Sequence, residues 1–234
     1  MRKGLYALLI CIMLLTTQVC LAEEKVQRLE QYKTENAYHL LVNAWGKTLD
    51  DEEADAAFLG DSLTAMGKWD EYYSEYLVEN LGVVADTIAD VESRLVLVEK
   101  LEPYKCFLMI GINDLCLEPQ AELAHEKVLQ AYDALLAGLY ALSEESGMTV
   151  YVQSILPILE GEMSYSYVKN QNIRKLNADI AVLAEKYGMS YIDVHPLLAD
   201  GNGQLKSEYT TDGLHLNPIA YEIWSEALKP YVEE

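Results

Sequence analysis

The chain has 234 residues, of which 51% are hydrophobic and 24% charged, and 17 Lys+Arg against 38 Asp+Glu give a formal net charge of -21. That length suits one large α/β domain, and that mix excludes both a disordered tail and a chain that is membrane-embedded throughout. So acidic a surface repels phosphate backbones and anionic headgroups, which removes nucleic acid from the expected partners.

The chain opens on Arg2 and Lys3, continues through an apolar run at 5–15, and reaches the small-residue stretch Cys20-Leu21-Ala22. This order reads as a secretory signal peptide cleaved after Ala22, too short and wrongly flanked for a membrane anchor. The expected location is extracytoplasmic, secreted or periplasmic, with no integral membrane segment in the mature chain. Lipidation at Cys20 is the weaker alternative, because Thr17-Gln18-Val19 fits a lipoprotein signal poorly.

Residues 23–49 read as a helical extension. Val26, Leu29, Ala37, Leu40, Leu41 and Ala44 fall near helical spacing, and Gly46 is a plausible stop. An acidic link at 50–55 leads into the main domain, 56–234. There, short apolar runs at 56–59, 77–81, 106–110, 148–155 and 189–194 alternate with helical stretches. The spacing predicts helices near 68–76, 87–100, 119–145, 166–187 and 218–232. Pro119 suits the first turn of the third, and Gly147 its end. Strand–helix alternation of this kind implies a parallel sheet covered on both faces.

Two cysteines remain after cleavage, Cys106 and Cys116. Cys106 opens a strand-like run and Cys116 lies beyond its far end. Five strand steps span about 16 Å, whereas bridged Cα atoms lie within about 7 Å. Two free thiols are expected.

Ligands of such sheets bind outside the carboxyl ends of the strands. The residues just past those ends are therefore the informative ones. They include Gly60-Asp61-Ser62-Leu63, Ala85-Asp86-Thr87 and Gly111-Ile112-Asn113-Asp114, and Asp212-Gly213-Leu214-His215 precedes the last helix. One rim thus collects a hydroxyl, an amide, an imidazole and a nearby carboxylate, the set needed for nucleophile, oxyanion donor, base and orienter.

Over residues 56–232 the chain resembles the SGNH (GDSL) hydrolases. The matching stretches are Phe58-Leu59-Gly60-Asp61-Ser62-Leu63-Thr64, Met109-Ile110-Gly111-Ile112-Asn113-Asp114 and Thr211-Asp212-Gly213-Leu214-His215-Leu216-Asn217, and Val152-Gln153-Ser154-Ile155-Leu156-Pro157 looks like the family's fourth strand. The resemblance implies a three-layer α/β/α sandwich around a flavodoxin-like, five-stranded parallel sheet. It also implies a serine esterase or acylhydrolase. Ser62 would be the nucleophile, His215 its base and Asp212 the orienter of the imidazole. The backbone N–H groups of Ser62 and Ala85 and the side-chain amide of Asn113 would form the oxyanion hole. One departure stands out: the family has glycine where this chain has Ala85. If that position needs positive φ, alanine is strained there by about 1–2 kcal/mol.

Other histidines compete weakly for the base. His39 and His125 lie in polar helical stretches, and His195 follows the fifth apolar run. Asp61, Asp86 and Asp114 read as rim-shaping residues rather than paired acid–base carboxylates. No metal-binding pattern and no phosphate loop occurs, so no metal or cofactor is expected. Tyr72, Tyr73, Tyr76, Tyr165 and Tyr167 either stack on sugars near the rim or pack as ordinary amphipathic residues. The expected substrate is a small-molecule or glycan ester with a short acyl group, such as O-acetyl. A lysophospholipase or thioesterase, an O-acyltransferase, and a catalytically weak carbohydrate-binding module on the same scaffold are the alternatives.

Overall fold

A computed structural model describes residues 54–234. The expected signal peptide, the extension at 23–49 and most of the acidic link lie outside the described residues.

Five strands pair in parallel: β1 (Ala56–Gly60), β2 (Val78–Gly82), β3 (Lys105–Met109), β4 (Thr149–Gln153) and β5 (Ser190–Ile192). Their order is β2-β1-β3-β4-β5. This is the flavodoxin-like order, whose winding reverses between β1 and β3. All five coincide with the apolar runs of the sequence, as expected for strands covered on both faces.

The helices are α1 (Ser62–Ala65), α2 (Trp69–Tyr72), α3 (Ile88–Ser93), α4 (Val96–Leu101), α5 (Ile112–Leu117), α6 (Ala121–Ser146), α7 (Asn170–Lys186), α8 (His195–Leu198) and α9 (Pro218–Glu233). On one side α6 packs against α3, α5 and α7, and on the other α9 packs against α2 and α8. The helix expected at 68–76 is only one turn, because Tyr73 leaves the helical conformation. The stretch expected at 87–100 is broken in two at Arg94 and Leu95. The long α6 begins at Ala121, just past Pro119, and ends where Gly147 takes φ +78 and donates its N–H to Ser143 O.

Register places Phe58, Phe107 and Tyr151 side by side on β1, β3 and β4. Their rings stack with centroids 4.9 and 4.8 Å apart. Trp69 lies flat on Phe58 at 4.2 Å. From α9, Trp224 meets Trp69 edge-on at 4.9 Å and Tyr231 meets Tyr151 at 5.4 Å. This aromatic layer joins the sheet to α9. The polar ends of the rings are satisfied: Trp69 Nε1 donates to Thr64 O at 2.9 Å and Trp224 Nε1 to Gln153 Oε1 at 2.7 Å. Cys106 and Cys116 are both buried and free.

Trp69 fills the junction of β1, α1 and α9 and is 1% exposed. Trp69→Ala is expected to cost about 3–5 kcal/mol of stability in urea unfolding, the range for truncating a buried large aromatic. A loss below about 1 kcal/mol would show that the aromatic layer is not a principal support.

Candidate active site

The site lies at the carboxyl ends of β1 and β3, on either side of the point where the winding reverses. Ser62 follows β1 by two residues and opens α1, whose N-cap is Asp61: its carboxylate accepts the Leu63 N–H at 2.9 Å. Serine is therefore the first helical residue rather than the cap. Gly60 makes the turn possible, since a Cβ there would fall 2.2 Å from both Met109 O and Thr64 Oγ1.

Ser62 Oγ lies 3.0 Å from His215 Nε2, and His215 Nδ1 lies 2.6 Å from Asp212 Oδ2. The three residues thus form one continuous hydrogen-bonded chain. The segment that brings the imidazole there is a short turn. Asp212 Oδ1 accepts the N–H groups of Leu214 and His215 at 2.9 and 2.8 Å. Thr210 Oγ1 accepts the N–H of Gly213, which sits at φ +83. A Cβ on Gly213 would approach Met163 N to 2.7 Å and Leu159 O to 2.9 Å. The β4–α7 connection is therefore pressed against this turn, and Leu159 N–H donates to Gly213 O at 2.9 Å. Partial burial pushes the Asp212 carboxyl upward. The hydrogen bond from His215 and the two backbone N–H groups outweigh it and hold the carboxyl at about 2. Asp212 is thus ionised throughout the neutral range.

The other histidines are placed elsewhere. His195 is 4% exposed, its ring Nε2 has no partner among the described residues, and burial lowers its pKa. His125, in its polar helical stretch, pairs with Asp179 at 2.8 Å. His39 lies outside the described residues.

The second and third blocks meet across the switch point. Asp86 N–H donates to Val83 O at 3.2 Å, closing a turn in which Ala85 takes φ +66. Turns of this shape ask for glycine at the third position. Alanine keeps the turn at a cost of about 1–2 kcal/mol. Asn113, in α5, donates one amide hydrogen from Nδ2 to Asp86 O at 2.8 Å. Its second amide hydrogen is not claimed by that bond.

The three rim carboxylates each do structural work. Asp61 caps α1, Asp86 Oδ2 receives Arg94 Nε at 2.7 Å, and Asp114 accepts the Ile88 N–H at 3.2 Å. Burial raises Asp114 to about 6 and Asp61 to about 7. Among the described residues, no group of three or more His, Cys, Asp or Glu is arranged to hold a metal ion. The tyrosines divide. Tyr73 is 4% exposed and donates to Ser225 O, whereas Tyr165 is 44% exposed and meets Tyr167 edge-on. Arg94 escaped the reading of the sequence, because one arginine in a helical stretch looks like part of a solvated face. Its guanidinium is in fact buried, with Nη2 donating to Gly60 O at 3.0 Å.

Residues 58–223 match the model of the GDSL-like lipase/acylhydrolase family. The chain belongs to that family. It is accordingly a carboxylic ester hydrolase. A search of curated proteins found no match. Among solved structures, a Streptococcus pneumonia protein provisionally described as a platelet activating factor is 26% identical, with a TM-score of 0.68, covering 93% of this chain and 99% of its own. A GDSL-like lipase from Bacteroides thetaiotaomicron is 20% identical at a TM-score of 0.66, covering 86% and 98%. An acetylxylan esterase from Geobacillus stearothermophilus is 18% identical at 0.61, covering 80% and 97%. The last two share the fold.

Asp61 gives a pH signature. Its carboxyl titrates near 3.9 in the unfolded chain and about 7 when folded. Below pH 4 both states hold the proton; between about pH 4 and 7 only the folded state does, so this group's contribution to stability falls as pH rises through that window. Asp61→Asn retains an oxygen acceptor for Leu63 and removes the titration. The stability of wild type relative to Asp61→Asn is expected to decline from pH 4 to pH 7 in urea unfolding. A difference that is flat or rises would contradict the burial argument.

Proposed function

We propose that this hydrolase is a secreted serine esterase acting on short acyl esters, with O-acetyl groups on glycans as the substrate class. The hydrogen-bonded chain Ser62–His215–Asp212 carries the reading. Ser62 Oγ attacks the ester carbonyl as His215 Nε2 takes its proton. Asp212 holds Nδ1–H and stabilises the imidazolium. The free amide hydrogen of Asn113 and the N–H groups of Ser62 and Ala85 receive the oxyanion. The tetrahedral intermediate collapses, and His215 returns the proton to the departing alcohol. Water then attacks the acyl-serine by the same route, releasing the acid and restoring Ser62.

The glycan preference rests on Tyr165. It is the half-exposed ring on the connection packed against the His215 turn, and an aromatic face there suits a sugar ring. The similarity of fold to an acetylxylan esterase is consistent with it. The amino-terminal basic, apolar and small-residue pattern supports secretion, and no helix among the described residues is long and apolar enough to cross a membrane. A second reading, a longer acyl substrate, draws on exposed Val84 in the Ala85 turn, Leu117 at the end of α5 and Ile219 in the first turn of α9. The match to the acylhydrolase family weighs against the binding-module alternative, whose motive, strain at Ala85, is present at φ +66.

Hydrolysis of p-nitrophenyl esters from acetyl to dodecanoyl separates these readings. The account expects kcat/KM to be highest at the short end and Ser62→Ala to lose at least about a thousandfold. A long-chain optimum would favour the second reading, and no turnover at any length by folded protein would refute both. Tyr165→Ala is expected to raise KM for acetylated xylo-oligosaccharides about tenfold while leaving p-nitrophenyl acetate unaffected; equal effects on both would remove the sugar-stacking role.

A further inference from the structure

We propose that Arg94 is a positioning residue of the oxyanion hole, clamping the Ala85 turn to the nucleophile turn. The inference rests on the esterase reading and deepens it. Arg94 is 1% exposed and lies at the break between α3 and α4. Its Nε donates to Asp86 Oδ2 at 2.7 Å, and its Nη2 donates to Gly60 O at 3.0 Å. Gly60 stands two residues before Ser62, and Asp86 directly follows Ala85. The backbone oxygen of Asp86 in turn accepts the Asn113 amide at 2.8 Å. One planar guanidinium therefore fixes the two segments that bear the Ser62 and Ala85 N–H groups, and Asn113 is tied to one of them.

Two observations indicate that the clamp serves geometry rather than stability alone. Nη1 is buried with no partner among the described residues, so the burial is incompletely compensated. And the turn it grips contains a non-glycine residue at φ +66, a conformation the local chain disfavours and surrounding structure must impose. A lysine cannot replace this device. Its ammonium is a point charge without the fork that reaches two acceptors in fixed directions.

The strain at Ala85 supplies the test. Glycine at 85 adopts positive φ freely, so a turn with glycine depends less on the clamp. The full chain is compared as Arg94→Met in two backgrounds, with Ala or Gly at 85, using p-nitrophenyl acetate. With Ala85, kcat is expected to fall about ten- to a hundredfold while KM stays within about threefold. In the Ala85→Gly background the loss caused by Arg94→Met is expected to shrink at least about fivefold. A loss equal in both backgrounds, or one carried by KM, overturns the proposal, since a merely structural role shows no such coupling. Arg94→Lys is put through the same cycle, which decides the matter if Arg94→Met does not fold. The amide NMR signal of Ala85 gives a readout independent of turnover. It is expected to be single in wild type and broadened or doubled in both Arg94 variants. An unchanged signal overturns the clamp whether or not esters are hydrolysed. An inactive wild type with a perturbed variant signal would instead refute the esterase reading and leave the clamp standing.

Discussion

The contact between Ser62 Oγ and His215 Nε2, 3.0 Å long, joins residues 153 positions apart, and the fold must hold that distance against thermal motion. Helix α9 does most of this. It starts at Pro218, three residues past His215, with Asn217 as its N-cap accepting from Ala220 N–H. One turn later the Tyr221 hydroxyl donates to Leu63 O at 2.7 Å, directly beside Ser62. Trp224 then seats the helix on Trp69, which itself lies on Phe58 of β1. The strand that delivers the serine and the helix that follows the histidine are thus locked through the same aromatic layer.

The chemistry of the rim opposes stability. Asp61, Asp86 and Asp114 crowd beneath the site, and their mutual repulsion adds to the effect of burial on Asp61. Ala85 holds a strained backbone, and Arg94 has a guanidinium nitrogen without a partner. Each of these costs free energy, and the sheet and the α9 interface must offset them. Strained and imperfectly satisfied groups gather at the site where the proposed oxyanion donors would have to point in a fixed direction, a common location for such costs.

The sequence made the strands legible because most of their residues are buried and apolar, although Glu79 and Asn80 interrupt β2. Ser62 and Asn113 were legible because they follow β1 and β3 at one rim of a parallel sheet. Asp212 and His215, on the turn before α9 and some twenty residues past β5, were legible only through the resemblance of their motif to the SGNH family. The short helices α1, α5 and α8 were not legible, since four to six residues carry little periodicity, and α2 was expected but several residues longer. The break at Arg94 was hidden for a related reason: a polar residue inside a helical pattern signals solvent, and only tertiary packing reveals a side chain turned inward to Asp86. Of the tyrosines read either as sugar-stacking or as packing, Tyr73 packs: its ring stacks on Phe58 at 5.8 Å and it belongs to the core. Ala85 was recognised as an anomaly from the sequence, and its φ shows that the turn keeps a glycine-like shape.

The central claim is that Ser62 becomes covalently acylated. Acid-quenched reaction of the full chain with p-nitrophenyl acetate, followed by peptide mass spectrometry, tests it most directly. The account predicts a transient acetyl group on Ser62 that forms and decays within the time of a turnover, and no such adduct in Ser62→Ala. Turnover without any acetylated Ser62, or an adduct on another residue that decays at the turnover rate, would contradict it.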